Sequence, residues 1–229
     1  MNVLITGASR GLGLEFVKQY AEEGATVFAC CRDPGTSKSL HQISDEAGGK
    51  VSMHALDVAD AKSIASFAKS FGDEPIDVLI NNAGIYGPKQ QSANDMDFDG
   101  WAETFAVNTM APLRIAQAFH HNFKKGHAKK LVTITSGMGS TVQHSGDYFA
   151  YRSSKAAVNN VMHGLALAWK EDGIVVSLLH PGWVKTDMGG KDADLEPHES
   201  VSGMRHVIAG LSMAKSGKFL NHRGEEIPW

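Results

Sequence analysis

The chain has 229 residues, room for one sizeable α/β domain and not comfortably for two. Apolar residues make up 42% and charged residues 21%, ordinary globular usage, and a formal net charge of −3 provides no global basic field for nucleic acid. No stretch approaches the ~20 apolar residues of a membrane span, and the chain opens without a charged segment leading into an apolar one, so neither membrane insertion nor export is expected.

Short apolar, β-branched runs alternate with helix-like segments. The first run, Asn2–Thr6, leads straight into Thr6-Gly7-Ala8-Ser9-Arg10-Gly11-Leu12-Gly13, and a helix follows. The glycines suit separate tasks: Gly7 a tight turn, Gly11 close approach of backbone to a pyrophosphate, Gly13 packing of helix on strand. The helix N-terminus adds free N–H groups and the positive end of its dipole. Strand, loop and helix in this order distinguish a dinucleotide loop from a merely structural turn.

The second run, Ala25–Cys31, ends in the chain's two cysteines. Neighbours in a strand point to opposite faces, so Cys30 and Cys31 are expected as separate reduced thiols in a cytoplasmic protein. In NAD sites an acid commonly ends this strand and accepts from the ribose hydroxyls. Here that position holds Cys31, followed by Arg32, and Arg10 lies in the glycine loop. Two planar guanidiniums suit a 2′-phosphate, so NADP(H) is the expected cofactor, with NAD(H) possible. Asp33 competes for Arg32, and two merely exposed arginines are the alternative.

A third run, Val51–Leu56, ends at Asp57-Val58. The Asp57 carboxylate either accepts from an adenine amino group or serves as a charge at a helix N-terminus. Ile64, Phe67, Ala68 and Phe71 then mark one face of a helix starting near Asp60. A fourth run, Asp77–Asn81, ends in Asn81-Asn82-Ala83-Gly84. These small residues permit backbone to approach a ligand, or form a tight turn. Asn108 stands mid-helix four residues before Pro112, as a tolerated surface residue or as the mark of a kink that holds a water.

The fifth run, Lys130–Thr135, delivers Ser136 at its carboxyl edge. Next, a helix from about Tyr151 to Glu171 carries Val158, Val161, Leu165 and Ala168 on its inner face. The sixth run is Ile174–His180, and a weaker one is Lys218–Leu220. The first six read as buried on both faces, as strands of a parallel sheet are. Strand–helix alternation along the whole length predicts one α/β domain over residues 1–229, doubly wound, with loops at about 137–150 and 182–198 on the carboxyl side where ligands bind. The eleven histidines are scattered without metal-ligand spacing, and no metal is expected.

Tyr151 and Lys155, four apart, share one helical face. A phenol titrating near 10 is a scarce anion at neutral pH, and a neighbouring ammonium favours that anion. The alternative is a surface pair. The residues Ser136, Tyr151 and Lys155 therefore form a candidate catalytic set for proton transfer.

The glycine loop, Asp57-Val58, Asn81–Gly84, Asn108, Ser136, Tyr151 with Lys155, and Pro181-Gly182 together resemble the short, single-domain branch of the short-chain dehydrogenase/reductase family, in the family's order from Thr6 to about Met188. The C-terminal segment is similar to that of C-factor and sniffer-like carbonyl reductases. The resemblance implies a Rossmann-type sheet of seven strands, mainly parallel. It implies Tyr151 as acid/base, Lys155 on the nicotinamide ribose and lowering the tyrosine pKa, Ser136 on the substrate oxygen, and Asn108 positioning a water. It places Gly7, Ser9, Arg10, Gly11, Leu12, Gly13, Arg32, Asp57, Val58, Asn82, Ala83, Gly84, Pro181, Gly182, Val184 and Thr186 around the cofactor.

The expected activity is hydride transfer between NADP(H) and a small-molecule carbonyl or secondary alcohol. The alternatives are reduction of an activated C=C bond, and a dinucleotide-binding regulatory or signalling protein with little turnover. Tyr86, Met138, His144, Phe149, Trp183 and Met188 are the candidate pocket residues. Fourteen residues separate Ser136 from Tyr151, slightly more than is usual in the family. A homodimer or homotetramer is expected through the helices near Thr109–Lys125 and Tyr151–Glu171, with Ala156, Ala157, Met162 and Trp169 at the interface.

Overall fold

The computed structural model describes residues 1–229. Its strands are β1 Asn2–Thr6, β2 Thr26–Cys31, β3 Val51–Ala55, β4 Val78–Asn81, β5 Lys130–Ile134, β6 Val175–His180 and β7 Phe219–Asn221. All pair in parallel in the order β3-β2-β1-β4-β5-β6-β7. The chain therefore winds outward from β1 to β3, then restarts on the other side of β1 with β4. The loops that leave β1 and β4 diverge at this reversal and open a crevice at the carboxyl edge.

Alternation along each strand divides the core into two halves. Val3 and Ile5 face α1 (Gly11–Glu22), α2 (Lys38–Glu46) and α8 (Pro197–Ala209), packing with Phe16, Leu40 and Met204. Leu4 and Leu79 face α3 (Ala61–Phe71), α5 (Ala111–Ala118), α6 (His120–Lys125) and α7 (Phe149–Ala168), packing with Phe67, Ile115, Phe123 and Val158. Cys31 belongs to the first half and Cys30 to the second, both free thiols, as alternation requires. A further helix, α4 (Phe98–Phe105), precedes α5.

Four expectations are corrected. β3 is an edge strand, so of its five residues only Val51 is buried and it is not covered on both faces. The inner face of α7 carries Val158, Met162, Leu165 and Ala166, while Ala168 is exposed. Met162 is thus fully buried among the chain's own side chains and cannot serve an interface between copies. Trp169 is half-buried against the same core, with the His120 ring 4.5 Å away. The expected helix Thr109–Lys125 is three pieces, a π-helical turn Ala106–Met110, then α5 and α6. Pro112 sits in the first turn of α5, which runs on without a break from the π-helical turn, so its missing N–H leaves a gap in the helical ladder there. The loop after β6 closes at Pro197, which starts α8 behind a reciprocal cap between Glu196 and Glu199.

Candidate active site

The glycine loop is shaped by close approach. Gly7 has φ +67°, and a Cβ there would lie 2.8 Å from the Ala83 Cα. A Cβ on Gly13 would lie 2.1 Å from the Gly7 carbonyl oxygen, so α1 packs directly on the loop. The β4 exit is laced to the β1 exit: Asn82 Nδ2 donates to the Thr6 and Gly7 carbonyls at 2.9 and 3.1 Å, and Thr6 Oγ1 accepts from the N–H groups of Asn82 and Ala83, both at 3.1 Å. Asn82 and Ala83 thereby hold the loop that frames the crevice.

Arg10 caps α1 with extended backbone and no side-chain bond to the first turn, so the N–H groups of Gly11, Leu12 and Gly13 point into the crevice without a capping acceptor. A depression of about 310 Å³ beside them is lined by Ser9, Arg32, Asp33, Thr36 and Ser37. Free helix-start N–H groups, a close-packed glycine loop and a polar depression holding Arg32 at the end of β2 fit a dinucleotide phosphate group. Arg10 itself is turned to Asp187, Nη1 to Oδ2 2.8 Å, across the crevice mouth. Asp57 Oδ1 accepts from the Ala59 N–H at 2.9 Å, leaving its other oxygen unengaged, and Val58 is buried beneath it.

On the far side of the crevice, Gly182 has φ +84° and the Pro181 carbonyl accepts from Ser200 Oγ at 2.7 Å. Val184 is buried and bridges to Leu195. Thr186 Oγ1 accepts from the Gly189 N–H at 3.1 Å and faces Gly11, whose added Cβ would lie 3.5 Å from the threonine methyl.

The candidate catalytic residues converge where β5, α7 and the π-helical turn meet. Ser136 lies two residues beyond the end of β5, and its Oγ accepts from the Met138 N–H at 3.1 Å, which leaves the hydroxyl proton to be donated elsewhere. A Cβ on Gly139 would lie 2.9 Å from the Lys155 backbone, so this turn presses directly on α7 and brings Ser136 to Tyr151. Burial pushes the Tyr151 phenol up to about 12, and the Ser136 hydroxyl beside it acts in the opposite direction. Lys155 is also buried, its ammonium pushed down to about 8, with Nζ donating to the Ile134 carbonyl at 3.0 Å and lying 5.8 Å from the Tyr151 ring centre. Desolvation of the phenol dominates, and the Lys155 ammonium is shared with the Ile134 carbonyl.

Asn108 lies in the π-helical turn and is buried. Its Nδ2 donates to the Ile85 carbonyl and to Ser154 Oγ, and its Oδ1 accepts from the Ile85 N–H. A Cβ on Gly84 would lie 3.2 Å from Asn108 Oδ1 and 3.6 Å from Lys155 Nζ, so Gly84 is where these two side chains and the β4 exit come together.

Of the candidate pocket residues, Tyr86 and Met188 meet Tyr151 directly, with rings 4.7 Å apart and Met188 Sδ 4.0 Å from the phenol oxygen. Met138 is tied to Ser136 through its N–H. Phe149 starts α7, and the His144 ring lies 5.9 Å from it. Trp183 is turned to its own loop, Nε1 donating to the Gly189 carbonyl at 2.7 Å, and is half-exposed.

Two residues escaped the sequence reading. Tyr148, in left-handed backbone just before α7, stacks edge-on to Tyr86 at 5.1 Å. Gln91 is buried and joins two elements: Oε1 accepts from the Tyr151 N–H at 3.0 Å while Nε2 donates to the carbonyls of Tyr86 and Pro88. An aromatic residue next to a helix start is a weak signal for Tyr148; Gln91 acts over sixty residues and leaves no local one.

The family model for short chain dehydrogenases matches residues 1–196. The chain belongs to the short-chain dehydrogenase/reductase family. It is an oxidoreductase of that family with the expected Rossmann-type sheet. It is 42% identical over 165 residues to C-signal of Myxococcus xanthus, covering 72% of this chain and 99% of that protein. Among solved structures, an NADPH-bound carbonyl reductase from chicken fatty liver is 35% identical with a TM-score of 0.93, covering 100% of this chain and 98% of that one. The carbonyl reductase Sniffer of D. melanogaster is 29% identical with a TM-score of 0.93, covering 100% and 99%.

Proposed function

We propose that this enzyme is an NADP(H)-dependent carbonyl reductase, with Tyr151 as the proton donor and Ser136, Lys155 and Asn108 as its supporting set. The observation that carries the reading is the burial of Tyr151 beside Ser136 on one side and Lys155 on the other. The NADPH-bound carbonyl reductase of like fold supports the cofactor and the reaction class. When bound, the dinucleotide supplies or accepts the hydride.

The chain's residues do the rest. Burial keeps the Tyr151 phenol protonated at neutral pH, so it holds the proton that the carbonyl oxygen takes, and the Ser136 hydroxyl works against the burial that makes it a weaker acid. Ser136 donates to the same oxygen and fixes its position. Lys155, still mostly cationic at neutral pH, stabilises negative charge left on the phenol and holds ribose hydroxyls. Gly11, Leu12 and Gly13 offer N–H groups to the pyrophosphate, and Arg32 with Ser9 holds a 2′-phosphate. Tyr86 and Met188 pack against Tyr151 and line the place of the substrate. The enzyme acts on small molecules in the cytoplasm, as one domain that associates into a dimer or tetramer.

The test is NADPH consumption with a panel of aldehydes, ketones and quinones, repeated for Tyr151→Phe. Turnover that falls more than about tenfold in the variant, with NADPH affinity kept, is the expected result; a smaller loss corresponds to less than about 1.4 kcal/mol and removes Tyr151 as the acid. A second reading, a dinucleotide-binding signalling protein with little turnover, is favoured by the relative named C-signal. Tight NADPH binding without turnover on any carbonyl or activated alkene would select it.

A further inference from the structure

Residues 141–146 are exposed and belong to no helix or strand, yet they form part of the segment that joins Ser136 to Tyr151. Most of the bonds that hold them come from one side chain on α7. Arg152, next to Tyr151 in the chain, donates from Nε to Asp147 Oδ1 at 3.2 Å, from Nη1 to the carbonyls of Met138 and Gln143 at 3.4 and 3.1 Å, and from Nη2 to Ser145 Oγ. Its side chain is 11% exposed.

We propose that Arg152 is the positioning residue of the substrate loop, fixing residues 138–147 as one wall of the pocket and so setting which carbonyl compounds fit. This rests on the carbonyl reductase reading for its functional half. The guanidinium faces a depression of about 400 Å³ lined by Gly137, Met138, Gln143, His144, Ser145 and itself, which at first sight is a place for an anionic substrate. The donor inventory argues otherwise. Nε offers one N–H and each terminal nitrogen two, and four of these five are already spent on the loop. A planar fork reaching two main-chain carbonyls, a hydroxyl and a carboxylate spans both ends of the loop at once, which an ammonium cannot do.

A second, weaker tether acts from outside. Thr141 Oγ1 and the Val142 N–H both donate to the Trp229 carbonyl, at 3.1 and 3.3 Å. The Trp229 ring is seated against His163 and Phe219, with centres 5.1 and 5.8 Å away. The middle of the loop is thus held to β7 and α7 from one side and to Arg152 from the other. With no buried apolar core of its own, the loop depends on these polar ties for its place.

The experiment compares wild type, Arg152→Ala and Arg152→Lys by hydrogen exchange of residues 138–147, NADPH affinity, and kinetics on a small aldehyde and a bulky aromatic ketone. In Arg152→Ala, loop exchange is expected to quicken by about tenfold or more, with the lysine variant in between. KM for the bulky ketone is expected to rise about tenfold while kcat and NADPH affinity stay within about threefold. Unchanged loop exchange in both variants overturns the proposal. So does a kcat loss that is equal for small and bulky substrates, since that is damage to Tyr151 and not to the wall. If wild type reduces no carbonyl at all, the proposed function fails, and the exchange comparison still decides whether Arg152 holds the loop.

Discussion

Asn108 and Ile85 pair through both of their amides: the side-chain Nδ2 donates to the Ile85 carbonyl at 2.8 Å, and Oδ1 accepts from the Ile85 N–H at 2.9 Å. The asparagine thus imitates one rung of a sheet and fixes the segment that leaves β4 beside Lys155. The π-helical turn is what aims it there, since a regular helix would rotate the side chain away. Asn108→Ala strands the part-buried N–H and carbonyl of Ile85, and is expected to cost about 1–3 kcal/mol. A urea unfolding midpoint measures this, and a loss under about 1 kcal/mol would show that the segment relaxes to other partners.

Legibility in the sequence followed the range of the interaction. Asn2–Thr6 is recognisable because a central strand is apolar on both faces, and its glycine loop follows at once. Asp60 caps α3 on its own Lys62 N–H, a bond between near neighbours. The inner face of α7 is only partly legible because Met162 and Ala168 are both apolar, and only packing decides between them. Around the site, Asn108 and Pro112 announced an irregular helix, while the partner, Ile85, lies 23 residues earlier. Gln91 reaches Tyr151 across 60 residues, and Arg152 gathers a loop whose own sequence shows no preference for it.

Lys155 carries a stability cost. Its ammonium titrates near 10.5 in an unfolded chain and at about 8 in this fold. Between those values the unfolded state binds more protons, so stability rises with pH across the window and the full cost is present below about 8. The difference corresponds to about 3 kcal/mol. Lys155→Met removes the charge and leaves the Ile134 carbonyl unpaired, for a net gain of about 1–2 kcal/mol at pH 7. Thermal unfolding is expected to move up by about 2–8 °C, with activity lost and the gain fading by pH 10. A less stable variant at pH 7 would show that the bond to Ile134 outweighs burial of the charge.

His180 contributes to the acid side. It ends β6 beneath Gly137, where an added Cβ would lie 3.3 Å from its Nε2, and its Nδ1 has no partner. Burial, with His222 adding like charge, pushes it down to about 4. The unfolded group titrates near 6.5, so its contribution is fully present above 6.5 and is lost as pH falls to 4, at most about 3 kcal/mol. His180→Gln is expected to flatten the stability profile between pH 6.5 and 4. An acid limb of unchanged slope would place the titration elsewhere.

Cofactor choice turns on how two arginines divide the work. Arg32 lines the depression at the end of β2, and Asp33, its neighbour there, makes no ion pair with it. Arg10 is held by Asp187 at 2.8 Å, but these side chains are 74% and 77% exposed. Such a surface pair contributes at most about 1 kcal/mol, so Arg10 leaves it readily for a doubly charged phosphate. Arg32→Ala is therefore expected to raise KM for NADPH by about 10- to 100-fold and to leave that for NADH within about threefold. Arg10→Ala should do less, because its gain at the phosphate is offset by the pair it abandons. Asp187→Asn releases Arg10 in advance and should lower KM for NADPH by up to about fivefold without touching NADH. Steady-state kinetics with both cofactors check all three. Equal effects of Arg32→Ala on NADPH and NADH would put the 2′-phosphate outside this depression, and a rise in NADPH KM with Asp187→Asn would make Asp187 a support for Arg10 in place of its competitor.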